Sequence, residues 1–416
     1  MREISLETIQ ADITNAIAYC DLATTLAQTE TVSLHDGTQV TQRDLYLLAI
    51  KHKPSYSRGY YNLGVVLAAN ETVVLVEDFQ VTQRDLYLLA IKYDPNNSLA
   101  YYNLGVTAQE AIVLPDGTLA TQRDLYLLAI NADSSNSNAY LNLGTVLELK
   151  ETVVLLNGTP CTKQDLYLLA IKYNSSNFYA YSNLAITLTP SETISLHDGT
   201  QLMQRDLYLL AIQHKPSYSR AYYNLAITLE QKDRIELLDG TKVTQQDLYL
   251  LAIKYDPMFS FAYYNLATTL KLKETIVLLN DNSQVTKRDL YLLAIKYNPS
   301  ISHAYLNLGK MLQLKETIML FDNNKVTKKD LFLLAIKYDS SNFQAYHSLV
   351  AALKPRETIT LPNGVQVTQK ELRLLAAKYD VQKRKAVEPT PINSIHAYVS
   401  EPERYVYFIL FKLKIQ

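Results

Sequence analysis

Residues 82–105 read TQRDLYLLAIKYDPNNSLAYYNLG, and this stretch returns along the chain at a nearly fixed step. Its core, DLYLLAI or a near copy, begins at Asp44, Asp85, Asp124, Asp165, Asp206, Asp247, Asp289, Asp330 and Glu371. The asparagine of the AYYNLG-type element recurs at Asn62, Asn103, Asn142, Asn183, Asn224, Asn265 and Asn307, with Asp21 and Ser348 in the same place of the first and ninth copies. The steps are 41 or 42 residues except for one of 39, from Asp85 to Asp124. A period of this size marks a stack of supersecondary units, each shielding apolar surface that its neighbour would otherwise expose. Residues 30–63 return almost verbatim at 192–225, four repeats downstream, so a block of four was duplicated.

Within a repeat the DLYLLAIKY element is helical. Leu86, Leu89, Ala90 and Tyr93 fall at i, i+3, i+4 and i+7, one apolar stripe. Thr82 and Asp85 form a capping box at its start, and Pro95 closes it. The AYYNLG element is a second short helix with Tyr60, Leu63, Gly64 and Leu67 on one face. Between the two lie segments such as ETVSLHDGTQV (30–40) and DRIELLDGTKV (233–243), alternating apolar residues around Asp-Gly, which predict a hairpin. Val32, Leu34 and Val40 share one face of it, as do Ile235, Leu237 and Val243, and Ile318, Leu320 and Val326. Stacked helices about 8–10 Å apart match two strands at roughly 4.8 Å spacing, so successive hairpins are expected either to join into one ribbon or to stand as nine separate pairs.

KYDPNNSLAYYNLG at 92–105 resembles the junction of the tetratricopeptide-repeat family, with tyrosine in place of the family's tryptophan. The resemblance extends over about 18–380. Two departures stand out: Gln83 replaces the family's alanine, and the period exceeds the family's 34 residues. The resemblance implies a mostly α fold, a right-handed α-solenoid of nine helix–hairpin–helix repeats with short β-hairpins along one edge. The expected organisation is a short N-terminal segment (1–17), the array (18–380), and a tail (381–416) made of a linker and an apolar segment, Tyr405 to Phe411, covering the ninth repeat.

The resemblance further implies a concave groove lined by the first helices, where polypeptides bind. Beside the Asn column, Arg58, Leu99, Asn138, Tyr179, Arg220, Phe261, His303 and Gln344 occupy one variable place. Tyr61, Tyr102, Leu141, Ser182, Tyr223, Tyr264, Leu306 and His347 occupy another, three residues on. An asparagine presents both a donor and an acceptor to a peptide backbone. The candidate peptide-binding set is therefore Asn62, Asn103, Asn142, Asn183, Asn224, Asn265 and Asn307 with Tyr61, Tyr102, Tyr223, Tyr264, Arg58 and Arg220. The plainer alternative is that each asparagine bonds to the adjacent repeat. The Lys/Asn/Lys set that grips chaperone C-termini is missing, since Tyr, Leu, Val, Thr and Ile fill those places.

Composition narrows the chemistry. The formal net charge is −1 with pI about 6.7, without the basic footprint of a nucleic-acid binder. Cys20 and Cys161 are the two cysteines, too few for a disulfide framework or a thiol metal site. The histidines, His35, His52, His197, His214, His303, His347 and His396, show no ligand spacing, and no phosphate loop or nucleophile elbow occurs. No catalytic residue, metal or cofactor is expected. The recurrent Asp of DLYLLAI reads as a cap. No signal peptide or spanning segment is visible, which makes the cytoplasm the expected location, with signal-independent export left open. The expected function is a protein–protein interaction scaffold, with other proteins or peptides as partners. The alternative is a structural, self-assembling array.

Overall fold

A computed structural model of the chain describes residues 1–75 and 80–386, and of 383–386 the backbone only. The described residues divide into two compact units, 1–187 and 188–386. The first holds α1 (Arg2–Ala11), α2 (Ala16–Thr24), α3 (Gln42–His52), α4 (Ser57–Val66) and α5 (Gln83–Tyr93). It continues with α6 (Ser98–Thr107), α7 (Gln122–Ala132), α8 (Ser137–Val146), α9 (Lys163–Tyr173) and α10 (Phe178–Thr187). The second holds α11 (Gln204–His214), α12 (Ser219–Ile227), α13 (Gln245–Tyr255), α14 (Ser260–Thr269) and α15 (Lys287–Tyr297). It ends with α16 (Ser302–Met311), α17 (Lys328–Tyr338), α18 (Phe343–Ala352) and α19 (Gln369–Ala386). From α2 onward the order is first helix, hairpin, second helix, nine times among the described residues.

The second helices start where the sequence predicts. Thr82 Oγ1 accepts from the Asp85 N–H (3.3 Å), while the Asp85 carboxylate accepts from the Thr82 N–H at 2.9 Å. The same reciprocal pair recurs at Thr41, Thr121, Thr162, Thr244, Thr286 and Thr327. The repeated aspartate is thus a cap, satisfying amides that the helix itself cannot. At Met203 only half of the box survives: Asp206 accepts from the Met203 N–H at 2.8 Å, and the hydroxyl is gone.

The departure at Gln83 has a structural cause. Its Nε2 donates to the carbonyls of Gly64 (2.8 Å) and Leu67 (2.9 Å), capping the last turn of α4. Gln42, Gln122, Gln204, Gln245 and Gln369 make the corresponding bonds, and Lys163, Lys287 and Lys328 replace them with a single ammonium donor. Within either unit the paired helices are latched in this way across their own hairpin.

Between the paired helices lies a file of leucines. Leu22, Leu63, Leu104 and Leu143 on the first helices of the N-terminal unit, and Leu45, Leu86, Leu125 and Leu166 on the second helices packed against them, are all fully buried. Burying each is worth about 2 kcal/mol. A second file is aromatic. Tyr60 stacks on Tyr93 (5.4 Å between centroids) and Tyr140 on Tyr173 (5.5 Å) in the first unit. Tyr222, Tyr263, Tyr305 and Tyr346 stack likewise on Tyr255, Tyr297, Tyr338 and Tyr379 in the second.

Each hairpin pairs as the alternation requires, Val32 opposite Val40, Ile235 opposite Val243 and Ile318 opposite Val326. At the first tip the Leu34 C=O accepts from the Gly37 N–H and the Leu34 N–H donates to Thr38, with Gly37 at φ 85°. This is the three-residue loop with a bulge, which needs a left-handed residue. The continuous ribbon is not formed: among the described residues the strands make nine separate two-stranded sheets. The strands are two or three residues long, and the best-buried residue of each second strand, such as Val81 or Val243, anchors the hairpin to its own helices. So short an edge offers too few outward N–H and C=O groups to repay alignment with a neighbour.

Further helix lies at both ends of the array. Residues 2–11 form α1, which packs on α2 as a second helix packs on the following first helix. Arg2 bridges Glu30 at 2.8 Å, repeating the ion pair of Arg43 with Glu71 at the same sequence separation. At the other end α19 runs on through Ala386, beyond the boundary expected at 380. The apolar segment from Tyr405 lies outside the described residues.

Two outcomes follow for stability. Met203→Thr supplies the missing hydroxyl and is expected to raise stability by about 1 kcal/mol, read as a shift in the denaturant midpoint. Burial pushes the phenols of Tyr60, Tyr140 and Tyr346 up to about 12. Their neutral forms therefore favour the fold below pH ~10, the ordinary tyrosine value, and that stability is lost as pH climbs from ~10 towards 12. Tyrosinate absorbance should rise together with loss of helical circular dichroism in this window; ionisation well below it with helicity intact would contradict the packing.

Candidate functional site

The first helices carry the residues singled out from the sequence, and the structure ties most of them into pairs one repeat apart. In the N-terminal unit Asn103 Nδ2 donates to the Tyr61 hydroxyl and Asn142 Nδ2 to Tyr102, both at 3.3 Å. In the C-terminal unit Asn265 donates to Tyr223 at 3.1 Å, and Asn307 reaches Tyr264 at 3.4 Å and Tyr291 at 3.3 Å. The plainer expectation for these four asparagines is thereby realised: each bonds to the preceding repeat. Asn142 and Asn265 also bond to the second-helix phenols of Tyr126 and Tyr249, as Asn307 does to Tyr291, so it is the amide carbonyl that these three leave to face a ligand.

Packing fixes where each phenol sits. Tyr61 leans on Tyr87 (6.2 Å, 39°) and Tyr102 on Tyr126 (6.2 Å, 42°). Those second-helix rings lie over Gly64 and Gly105, so close that an added Cβ would stand 2.7 Å from a ring carbon. Tyr61, Tyr102, Tyr223 and Tyr264 are half-buried in consequence. Burial pushes the Tyr102 hydroxyl up to about 12 and raises Tyr61 and Tyr264 in the same direction, while the bond from each asparagine works the other way. These groups are neutral hydrogen-bonders at ordinary pH.

The remaining candidates are placed differently. Asn62 has a buried Nδ2 without a partner; the preceding repeat offers Cys20 where the others offer tyrosine. Opposite Asn183 the corresponding place is Leu141, which has no hydroxyl. Asn224 is half-buried on α12, and Arg220 is exposed on the same helix. Arg58 is exposed and holds Asp21 at 3.0 Å, a partner that sequence reasoning overlooked. Its signal was present: Asp21 is the one acid in the asparagine column. Leu99, in the variable place beside Tyr102, is 50% exposed.

Among the described residues no group of three or more His, Cys, Asp or Glu is arranged to hold a metal ion, and no helix is long and apolar enough to cross a membrane. Both cysteines are buried, and burial raises the Cys20 thiol to about 12, far from the thiolate a nucleophile needs.

No curated protein sequence matches the chain. Among solved structures it is similar to YrrB, described as a tetratricopeptide-repeat protein with an unusual peptide-binding site. The identity is 15% over 54% of this chain and 98% of that one, with a TM-score of 0.32. It is also similar to yeast Tom70 (12%, 95% and 94%, TM-score 0.33) and to a human IFIT1 dimer with m7Gppp-AAAA (9%, 84% and 68%, TM-score 0.27). Residues 86–112, which run from the second helix of one repeat through the first helix of the next, match the tetratricopeptide-repeat family. The same succession of first helix, hairpin and second helix recurs in the other repeats among the described residues, which makes the chain a tandem array of helical repeats, one stretch of which matches that family.

Proposed function

We propose that the chain is a protein-interaction scaffold whose first-helix faces bind extended segments of other polypeptides. The observation that carries this reading is the column of amide and phenol groups set one repeat apart, Asn103 with Tyr61 and Asn142 with Tyr102 in one unit, Asn265 with Tyr223 and Asn307 with Tyr264 in the other. Groups that recur at a constant step suit a ligand that itself recurs, a peptide backbone. Side chains that differ from repeat to repeat, among them Arg58, Leu99 and Phe261, would supply preference, as arginine and aromatic residues do at interface hot spots. The reading needs no cofactor.

The competing reading makes the array an architectural element that joins end to end. Against it stands the surface of α19, where Arg373 and Ala377 occupy the places of Tyr46 and Ile50. Tyr46 and Ile50 are buried, whereas α19 has a cation and a single methyl group in their places, a poorer surface for a further repeat to cover.

The test is selection of a random-peptide display library on the intact chain, followed by titration of the recovered peptides. Changing Asn103, Asn142 and Asn183 together to Ala is expected to weaken those bound in the N-terminal unit by roughly tenfold or more with helicity unchanged. Undiminished affinity for every recovered peptide would leave the asparagines with a structural role alone. Light scattering of the purified chain should give a single monomeric mass; concentration-dependent growth would favour the architectural reading.

A further inference from the structure

Read repeat by repeat, the two variable places have a period of four. The place of Tyr61 runs Cys20, Tyr61, Tyr102, Leu141, then Ser182, Tyr223, Tyr264, Leu306. The place of Arg58 runs Ile17, Arg58, Leu99, Asn138, then Tyr179, Arg220, Phe261, His303. Repeats two to four and six to eight thus carry the same series: arginine with tyrosine, an apolar residue with tyrosine, then a polar residue with leucine. The first series lies wholly within the N-terminal unit, on α4, α6 and α8; the second lies wholly within the C-terminal unit, on α12, α14 and α16.

The geometry repeats as well as the letters. Asn103 to Tyr61 (3.3 Å) corresponds to Asn265 to Tyr223 (3.1 Å), and Asn142 to Tyr102 (3.3 Å) to Asn307 to Tyr264 (3.4 Å). The supporting ring contacts correspond too: Tyr61 on Tyr87 at 6.2 Å and Tyr223 on Tyr249 at 5.9 Å, Tyr102 on Tyr126 at 6.2 Å and Tyr264 on Tyr291 at 5.9 Å. Each series closes on a leucine with no hydroxyl, Leu141 and Leu306, both buried. Residues nearby have diverged between the copies, since Asn96 and Asn97 became Met258 and Phe259, while the tyrosines and arginines match.

We infer that the chain holds two equivalent peptide sites, one per compact unit, each taking the same short extended motif, an acidic side chain and an apolar side chain about three residues apart. The inference rests on the scaffold reading above. The acid is set by Arg58 and Arg220: Arg58 bridges Asp21 and bonds to Tyr56, yet its side chain is 47% exposed and a guanidinium has five donors, while before Arg220 the place of Asp21 is Asn183. The apolar residue is set by Leu99 and Phe261 one repeat on. Adjacent first helices about 8–10 Å apart correspond to roughly three residues of extended chain at about 3.3 Å each. The fitting occupant of each site is a protein segment that carries this motif.

The experiment uses the intact chain and a synthetic peptide recovered from the display selection, titrated by calorimetry. The expected result is two peptides bound per chain, with an acidic and an apolar residue about three positions apart in the recovered sequences. Arg58→Glu and Arg220→Glu, both at exposed positions, should each reduce the stoichiometry from two to one, and the double variant should abolish binding. A stoichiometry of one, lost to a single one of these variants, overturns the paired sites while leaving the scaffold reading intact. Recovered peptides without the acid, indifferent to both variants, overturn the assigned motif. Recovery of no peptide overturns this inference and the scaffold reading together.

Discussion

The close approach of the two helices in each repeat governs the rest of the structure. It is possible because the first helix of repeats one to eight has glycine or alanine where it meets the second, Gly64 under Tyr87 and Gly144 under Tyr167; the ninth has Val350, with Arg373 in the tyrosine's place. With no side chain in the way, a tyrosine ring lies flat on backbone, and its outer edge becomes the surface on which the next tyrosine rests. Tyr61 owes its position to Tyr87, and Asn103 bonds to Tyr61 from the following repeat. The candidate binding column is therefore an outgrowth of core packing. A change at the helix contact would be felt at the surface, because close-packed side chains transmit displacement.

Polar groups hold this arrangement in register more than they add to its stability. The Gln and Lys latches join the two helices of one repeat, and so do Ser98 and Ser137, which donate to the carbonyls of Ala129 and Ala170 from buried positions. Asn136 and Asn177 then donate to those serine oxygens, so that one amide caps its own helix and binds the repeat before it. Buried bonds of this kind are costly to leave unmade, about 1–3 kcal/mol per orphaned group. Half-buried ion pairs such as Arg288 with Glu316, still reached by solvent, contribute little beside them.

Most of the architecture was legible from one repeat, because local signals and the long-range pattern agree. The apolar stripe of DLYLLAIKY, the Thr–Asp box and the valine pairs of the hairpins each predict an element that forms. What was not legible depends on relations between repeats. That the hairpins stay separate turns on how little backbone each edge offers, which their alternation does not reveal. The helix at 2–11 escaped notice because Ser5 and Ile9 fill the places of Tyr46 and Ile50, a substitution that hides the motif while keeping the buried face. The asparagine column was visible, but its engagement by tyrosines required knowing that the residue before each asparagine faces the next helix along. The partner of Arg58 was missed because Asp21 belongs to the first copy, where the pattern departs most.

The bonds described here join residues within a repeat or to the one beside it; the longest, Asn307 to Tyr264, spans 43 positions. Tension applied along such a chain would be borne in series by these short-range bonds. Within either compact unit, repeats would then yield singly and close again singly, each drawing on a neighbour that is still folded as its template. The molecule would lengthen under load by increments of one repeat, in the manner of an elastic tether, while the repeats still closed kept their faces available to a bound chain.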